Sequence, residues 1–550
     1  MKIYNTISRL LCLPLLSRQA AALPTNASLP NLPQPQAGLM AHSAIDGMNT
    51  DGYAVRAYTW RDSSGLARSV SLVHSDRKDP AGFYGGYMRN YNYTVGGVSR
   101  NCTSSDPDHP GFGFLVNHYI DNGSYPSESS RFHPSTSEST YLNGRHHSIH
   151  EYTYNYALGD QPMAATIQWL FKSGHDHPII AITQDASAAA PNKLMADFRS
   201  PYGDFEFDGG NDSIVAGVGW GDHYKFITGN QSTLTMASGW HYDVPNTVPY
   251  VQLFTLKPDA EMGLIQTQTY LQHDLGGYDG YHFWNKSAPN GPMPPAESWP
   301  FQLNQYSLPY TNTSKRIALG SNYGALGQES YPSYGEDRML SGVMQSFSVH
   351  MALGTHSAGS VAQQVAAVEA VQQATLVAGP GVEVRTAMPA GIGRSDINPL
   401  GGPSGYNPAY ATWELIAAAN VTQMNLSLLT DNSTLHNPTF VVHNWPSARP
   451  PKAVVNDGAP LVADSLQGYL ASVDVARQTL WLTIGADVSA QKPLVLAISA
   501  PEPDVGHKGA HWSKVAVGLS ASGAVIGAAG GIYAAVHAIQ KIRQPRILGT

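Results

Sequence analysis

The pattern that most constrains this chain is alternation with a period of two, broken every few residues by Gly, Pro, Asn or Asp. Tyr53, Val55, Ala57 and Thr59 alternate with Ala54, Arg56, Tyr58 and Trp60, and a similar run covers 69–73. Ala164, Thr166, Gln168 and Leu170 alternate with Ala165, Ile167, Trp169 and Phe171, and an apolar run at 178–183 follows a turn. Successive side chains of a strand point to opposite faces, so these runs predict antiparallel strands. The 53 Gly and 38 Pro supply turns and argue against a helical bundle. The 29 Tyr and 10 Trp suit pleated, half-buried surfaces.

Strand signals continue to about residue 350. The stretch 360–378 differs: Val361, Val365, Val368 and Val371 recur at helical spacing, and Gly379-Pro380-Gly381 stops the pattern. A Gly/Pro-rich connection covers 389–408, and strands resume at 439–442, 468–473, 479–484 and 494–498. A chain of 550 residues is too long for one core. The expected fold is mainly β: a large antiparallel domain over 41–350, a sandwich or related multi-sheet architecture. A helix and connection over 351–407 follow, then a small C-terminal β-sandwich over 408–500.

The ends predict export. Lys2 and Arg9 precede the apolar run 10–16, and Ala20-Ala21-Ala22 offers a cleavage site, so 1–22 reads as a weak signal peptide and 23–40 as a Pro-rich linker. Asn-x-Ser/Thr recurs at Asn26, Asn92, Asn101, Asn122, Asn211, Asn230, Asn285, Asn312, Asn420, Asn425 and Asn432. Its spread through the chain points to a secreted or cell-surface glycoprotein. The mature chain would hold one thiol, Cys102, expected to be packed rather than reactive. Within the tail 501–550, the segment 515–539 lacks Asp, Glu, Lys and Arg, and Lys541, Arg543 and Arg546 follow it. It is long enough to span a bilayer as a C-terminal transmembrane anchor, the alternative being a packed Gly/Ala helix.

With net charge −8 and no Lys/Arg run, no nucleic-acid partner is expected. No Gly-x-Ser-x-Gly elbow, phosphate loop, His-Glu-x-x-His or Cys-pair metal site is present, so no cofactor is required by any motif. A divalent metal ion finds support only in the His175-Asp176-His177 pair, which reads better as a tight hairpin turn between two strands.

The chemistry-bearing residues gather in four histidine clusters and one acidic segment. In the first cluster, strand geometry puts His146, Ser148, His150, Tyr152 and Tyr154 on one face, a polar and aromatic face expected of a groove floor. His147, Ile149, Glu151 and Thr153 share the other. Proton abstraction beside a sugar carboxylate needs a His or Tyr base and a neutralising cation, which Arg145, His146, His150 and Tyr152 could supply. The second cluster is the turn at His175 and His177. The segment 197–208 adds Arg199 and the carboxylates of Asp197, Asp204, Glu206 and Asp208, groups of the kind glycoside hydrolysis uses in pairs. Trp220, Asp222, His223 and Tyr224, then Trp240, His241 and Tyr242, combine sugar-stacking rings with acids and bases.

The functional expectation is a carbohydrate-active enzyme cleaving a polysaccharide or glycan. β-Elimination by a His/Tyr base with an Arg/His neutraliser leads. A hydrolase using an Asp/Glu pair is the alternative, and a non-catalytic glycan-binding surface protein is the third reading. Catalytic candidates are Arg145, His146, His150, Tyr152, Asp204, Asp222, His223 and His241; substrate-binding candidates are Arg199, Trp220, Tyr224, Trp240 and Tyr242. The reading depends on their convergence across one sheet.

Overall fold

The structure, a computed structural model, describes residues 41–46, 53–75, 85–103, 111–120, 130–158, 161–185, 188, 195–207, 215–221, 227–230, 250–257, 259–266, 301–303, 316–326, 344–386 and 403–501. Among these described residues the fold is mainly β, built from several antiparallel sheets and one helix.

Two large sheets form the first sandwich. A ten-stranded sheet includes Tyr53–Arg61, Ala67–Val73, Met88–Val95, Phe112–Ile120 and Met195–Phe207. A nine-stranded sheet runs, from one edge to the other, through Ser137–Asn143, His147–Leu158, Gln161–Lys172, Ile179–Asp185, Met344–Gly354, Asp259–Gln266, Tyr250–Leu256, Val215–Gly221 and Ile227–Asn230. Alternation drives their packing. Tyr58, Trp60, Val70 and Leu72 of the first sheet meet Tyr152, Tyr154, Ile167, Trp169 and Phe171 of the second in one core. Cys102 is fully buried in that core, as the sequence predicts.

The helix Ser360–Val371 lays Val361, Val365 and Val368 against Tyr250, Ile265 and Ala352. Its first turn is held by Glu261, whose Oε1 accepts the Val361 N–H at 2.6 Å. The helix stops at Val371, short of the 378 that the sequence pattern suggests. Ala374–Ala378 is instead a strand that pairs with Gln423–Thr430, since Thr375 and Val377 alternate with the buried Ala374 and Leu376.

A second sandwich follows. Its five-stranded sheet includes Ala374–Ala378, Gln423–Thr430 and Leu494–Ser499; its six-stranded sheet includes Thr412–Ala417, Thr439–His443, Tyr469–Asp474 and Thr479–Ile484. Phe440, Val442, Leu480 and Leu482 point into its core. Val441 and Trp481, one position away, point out.

Those outward residues dock the sandwiches together. Cross-strand register in the nine-stranded sheet sets Ile149 opposite Leu170, Leu170 opposite Ile179, and Ile179 opposite His350. Leu142, Ile149, Leu170 and Ile179 pack against Val441 and Trp481. Strands that are sandwiched on both sides lose their polar face: Thr479–Ile484 is buried at every position, and so are residues 169–172.

Among the described residues no helix is long and apolar enough to cross a membrane. The segment 515–539 lies outside the described residues, as do the signal region and the linker.

Candidate functional site

The face of strand His147–Leu158 that carries His150, Tyr152 and Tyr154 is the sandwich interior, which corrects the expectation of a groove floor. The alternation does put these side chains on one face, but that face meets the ten-stranded sheet. His150 Nδ1 lies 2.7 Å from the Tyr58 hydroxyl, and the Tyr152 hydroxyl donates to the Val73 carbonyl at 2.6 Å. Glu138 Oε1 hydrogen-bonds His74, and its Oε2 accepts the Ser75 N–H at 2.9 Å and lies 3.7 Å from His150 Nε2. Burial drives the His150 imidazole down to about 4, against an upward pull from Glu138. His150 and Tyr152 are 1% and 0% exposed, so a polymer cannot reach them in this packing.

Arg145 and His146 stand apart from that pair. Both reach across to the second sandwich, where Arg145 Nη1 and His146 Nε2 meet the two oxygens of Asp464 at 2.7 and 2.8 Å. They join the sandwiches at the surface.

The acidic and aromatic candidates are not drawn to the same place. Asp204 and Arg199 lie on Met195–Phe207, in the ten-stranded sheet, where they pair with Ala318 and Asn322. Trp220 lies on Val215–Gly221, which is in the same sheet as His147–Leu158 but with five strands between them. Six inter-strand spacings make that separation about 29 Å along the sheet. Convergence of the four clusters across one sheet is therefore not observed for the described strands. Asp222, His223, Tyr224, Trp240, His241 and Tyr242 lie outside the described residues.

A cavity of about 570 Å³ opens elsewhere, where the first sandwich, the helix and the second sandwich meet. Its wall includes Lys172, His175, Asp176, His177 and His350 from the first sandwich, Gln364 from the helix, and Trp413, Asn437 and Thr439 from the second. The segment 173–178 is indeed the turn joining two paired strands. Asp176 does not cap its own turn: its Oδ1 accepts the Ser63 N–H of a neighbouring loop at 2.9 Å. Among the described residues no group of His, Cys, Asp or Glu is arranged to hold a metal ion.

Period two explains how these groups come together. His147 and Lys172 are register partners, and each is two residues from the docking row, on its outer face. His147 bridges Ser472 Oγ at 3.0 Å and Thr483 Oγ1 at 2.9 Å. Lys172 Nζ donates to the carbonyls of Tyr410 and Ala411, both at 3.1 Å. His175 Nε2 is 3.1 Å from Thr439 Oγ1, and His177 Nδ1 accepts the Leu353 N–H at 3.3 Å. His350 ends the docking row, and its Nδ1 is buried without a hydrogen-bond partner.

Burial sets the charge of this cluster. It holds His147, His175 and His350 well below the ordinary imidazole range and brings His177 down to about 3. It also lowers the Lys172 ammonium to about 7. At neutral pH the cavity thus offers uncharged imidazoles beside an amine that is close to half protonated.

Little in the sequence pattern points to Lys172 and His350. The available signal was the change of face along 164–172, where polar Thr166 and Gln168 give way to apolar Leu170. That marks where a second layer covers the sheet.

No family model matches the chain. No curated protein matches it either. Among solved structures it is similar to an alpha-mannosidase from Enterococcus faecalis V583, with 8% identity over 76% of this chain and 42% of that one, and a TM-score of 0.28. It is similar to a Paenibacillus xanthan lyase, with 9% identity over 84% and 38% and a TM-score of 0.28. A protein in the glycosyl hydrolase family 38 from Enterococcus faecalis gives 9% identity over 80% and 47%, with a TM-score of 0.27. The chain spans less than half the length of each, and likenesses at these TM-scores do not establish a shared fold.

Proposed function

We propose that this chain is a carbohydrate-active enzyme, exported to the cell surface or beyond, that works on a glycan in the cavity between its two sandwiches. The observation that carries the reading is the cavity wall itself. It places uncharged imidazoles, an amine and amide side chains around a space large enough for one or two sugar rings. The exposed sequon residues Asn420 and Asn432 support the secretory part of the reading.

Of the two cleavage routes, the lining favours β-elimination. His350 is the wall imidazole with no hydrogen bond to the described residues, and burial keeps it in the basic, neutral form. It takes a proton from a sugar carbon, the glycosidic oxygen leaves with the bonding electrons and is protonated, and a carbon–carbon double bond remains. Water is not consumed.

The purified chain is to be incubated with a panel of uronate-containing and neutral polysaccharides. Elimination predicts ultraviolet absorbance from an unsaturated product, and His350→Gln should abolish it. New reducing ends without absorbance would assign a hydrolase. Binding without any cleavage would assign a glycan-binding surface protein.

A further inference from the structure

The cavity holds a cation whose charge is not balanced by a neighbouring acid. Lys172 is 4% exposed. An ammonium has three N–H donors. Two go to the carbonyls of Tyr410 and Ala411, and among the described residues no acceptor takes the third. The titratable groups that sense Lys172 are His147, His175 and His350, all imidazoles.

The two carboxylates of the wall are already engaged. Asp176 accepts from Ser63 and faces Arg68 and His177. Asp487 is paired with His436 at 2.7 Å. A buried ammonium beside an open space, with an unused donor and no counter-ion, is costly to maintain in an empty cavity. A carboxylate brought by a ligand supplies both the missing acceptor and the missing charge.

We propose that Lys172 anchors the carboxylate of an acidic sugar, a hexuronate residue, with its ring lying in the cavity towards His350 and Gln364. The inference rests on the glycan reading above and adds its substrate class. It assigns Lys172 as the group that neutralises the carboxylate, the part the sequence pattern gave to Arg145.

The test is calorimetric titration of the full chain at pH 6 with D-glucuronate and, separately, D-glucose. Glucuronate should bind at least tenfold more tightly than glucose. Lys172→Met should remove that preference with its circular dichroism unchanged. Because that substitution also strips a donor from two buried carbonyls, Gln364→Trp provides a second variant that fills the cavity from the helix side without touching Lys172. It should weaken glucuronate binding at least tenfold. Equal affinity for the two sugars, or unchanged binding in Gln364→Trp, overturns the assignment. If neutral polysaccharides are cleaved while glucuronate does not bind, the assignment falls and the enzyme reading stands. If glucuronate binds through Lys172 and nothing is cleaved, the anchor stands and the enzyme reading falls.

Discussion

His150 Nδ1 and the Tyr58 hydroxyl lie 2.7 Å apart, joining the facing sheets of the first sandwich through a buried hydrogen bond. The rings also meet edge to face, and Tyr58 stacks on Phe171. This pair anchors a polar cluster inside an aromatic core, with structural consequences that can be measured.

Tyr58→Phe keeps the ring and removes the hydroxyl. It should destabilise the first sandwich by about 1 kcal/mol, the net worth of one buried hydrogen bond. His150→Ala also leaves a void and exposes Glu138 to an unfilled space, and should cost about 2–4 kcal/mol. Urea unfolding followed by tryptophan fluorescence measures both; equal effects would mean that the ring contributes only its hydroxyl partner.

Acid should destabilise the first sandwich in two stages. Burial lowers His150 from 6.5 to about 4, so between those values the unfolded chain binds more protons than the native one. Stability therefore falls as pH drops from 6.5 to 4, by about 3 kcal/mol for this group. Burial pushes the Glu138 carboxyl up, but its bonds to His74 and Ser75 and the neighbouring imidazoles outweigh that and leave it lowered. Its contribution is present above its unfolded value of 4.5 and is lost below it. Unfolding midpoints at pH 7, 6 and 5 should fall steadily, and His150→Gln should flatten the decline.

Lys172 continues the same trend on the alkaline side. Its ammonium is lowered by burial from 10.5 to about 7, so in that window the unfolded chain again holds the extra proton. Stability rises with pH, by at most about 1.4 kcal/mol per unit from this group. Midpoints at pH 7, 8 and 9 should climb in the native chain and stay level in Lys172→Met.

Two contacts join the sandwiches, and they should differ in strength. Arg145 is 58% exposed at its pair with Asp464, so Asp464→Asn should cost no more than about 1 kcal/mol. Trp481 is 5% exposed and packs with Ile149, Leu170 and Ile179; Trp481→Ala should cost about 3–5 kcal/mol. Scanning calorimetry should show one transition in Asp464→Asn and two separated transitions in Trp481→Ala.

Much of the local structure was legible in the chain. The alternation along 53–60 and 164–171 marks strands that form, the valine spacing marks the helix, and the pattern at 174–178 marks the turn. The alternation also sorted His150, Tyr152 and Tyr154 from His147 and Ile149. It could not say what each face would meet. A face carrying His, Ser and Tyr looks solvated, and here it is buried: His150 bonds Tyr58 and Tyr152 bonds the Val73 carbonyl of the opposite sheet, while Ser148 Oγ and His150 Nε2 find no hydrogen-bond partner among the described residues.

The clusters divide for the same reason. Sequence spacing measures distance along the chain, whereas strand order decides distance in space. His150 and Trp220 share a sheet but have five strands between them, while Lys172 and Ala411, far apart in sequence, share a hydrogen bond. The period of two, a local consequence of strand geometry, determined which residues would point the same way. Sheet order and the docking of the second sandwich, set by burial of the row from Leu142 to Ile179 against Val441 and Trp481, decided which of them met. That docking brought Lys172, His175 and His350 to one cavity.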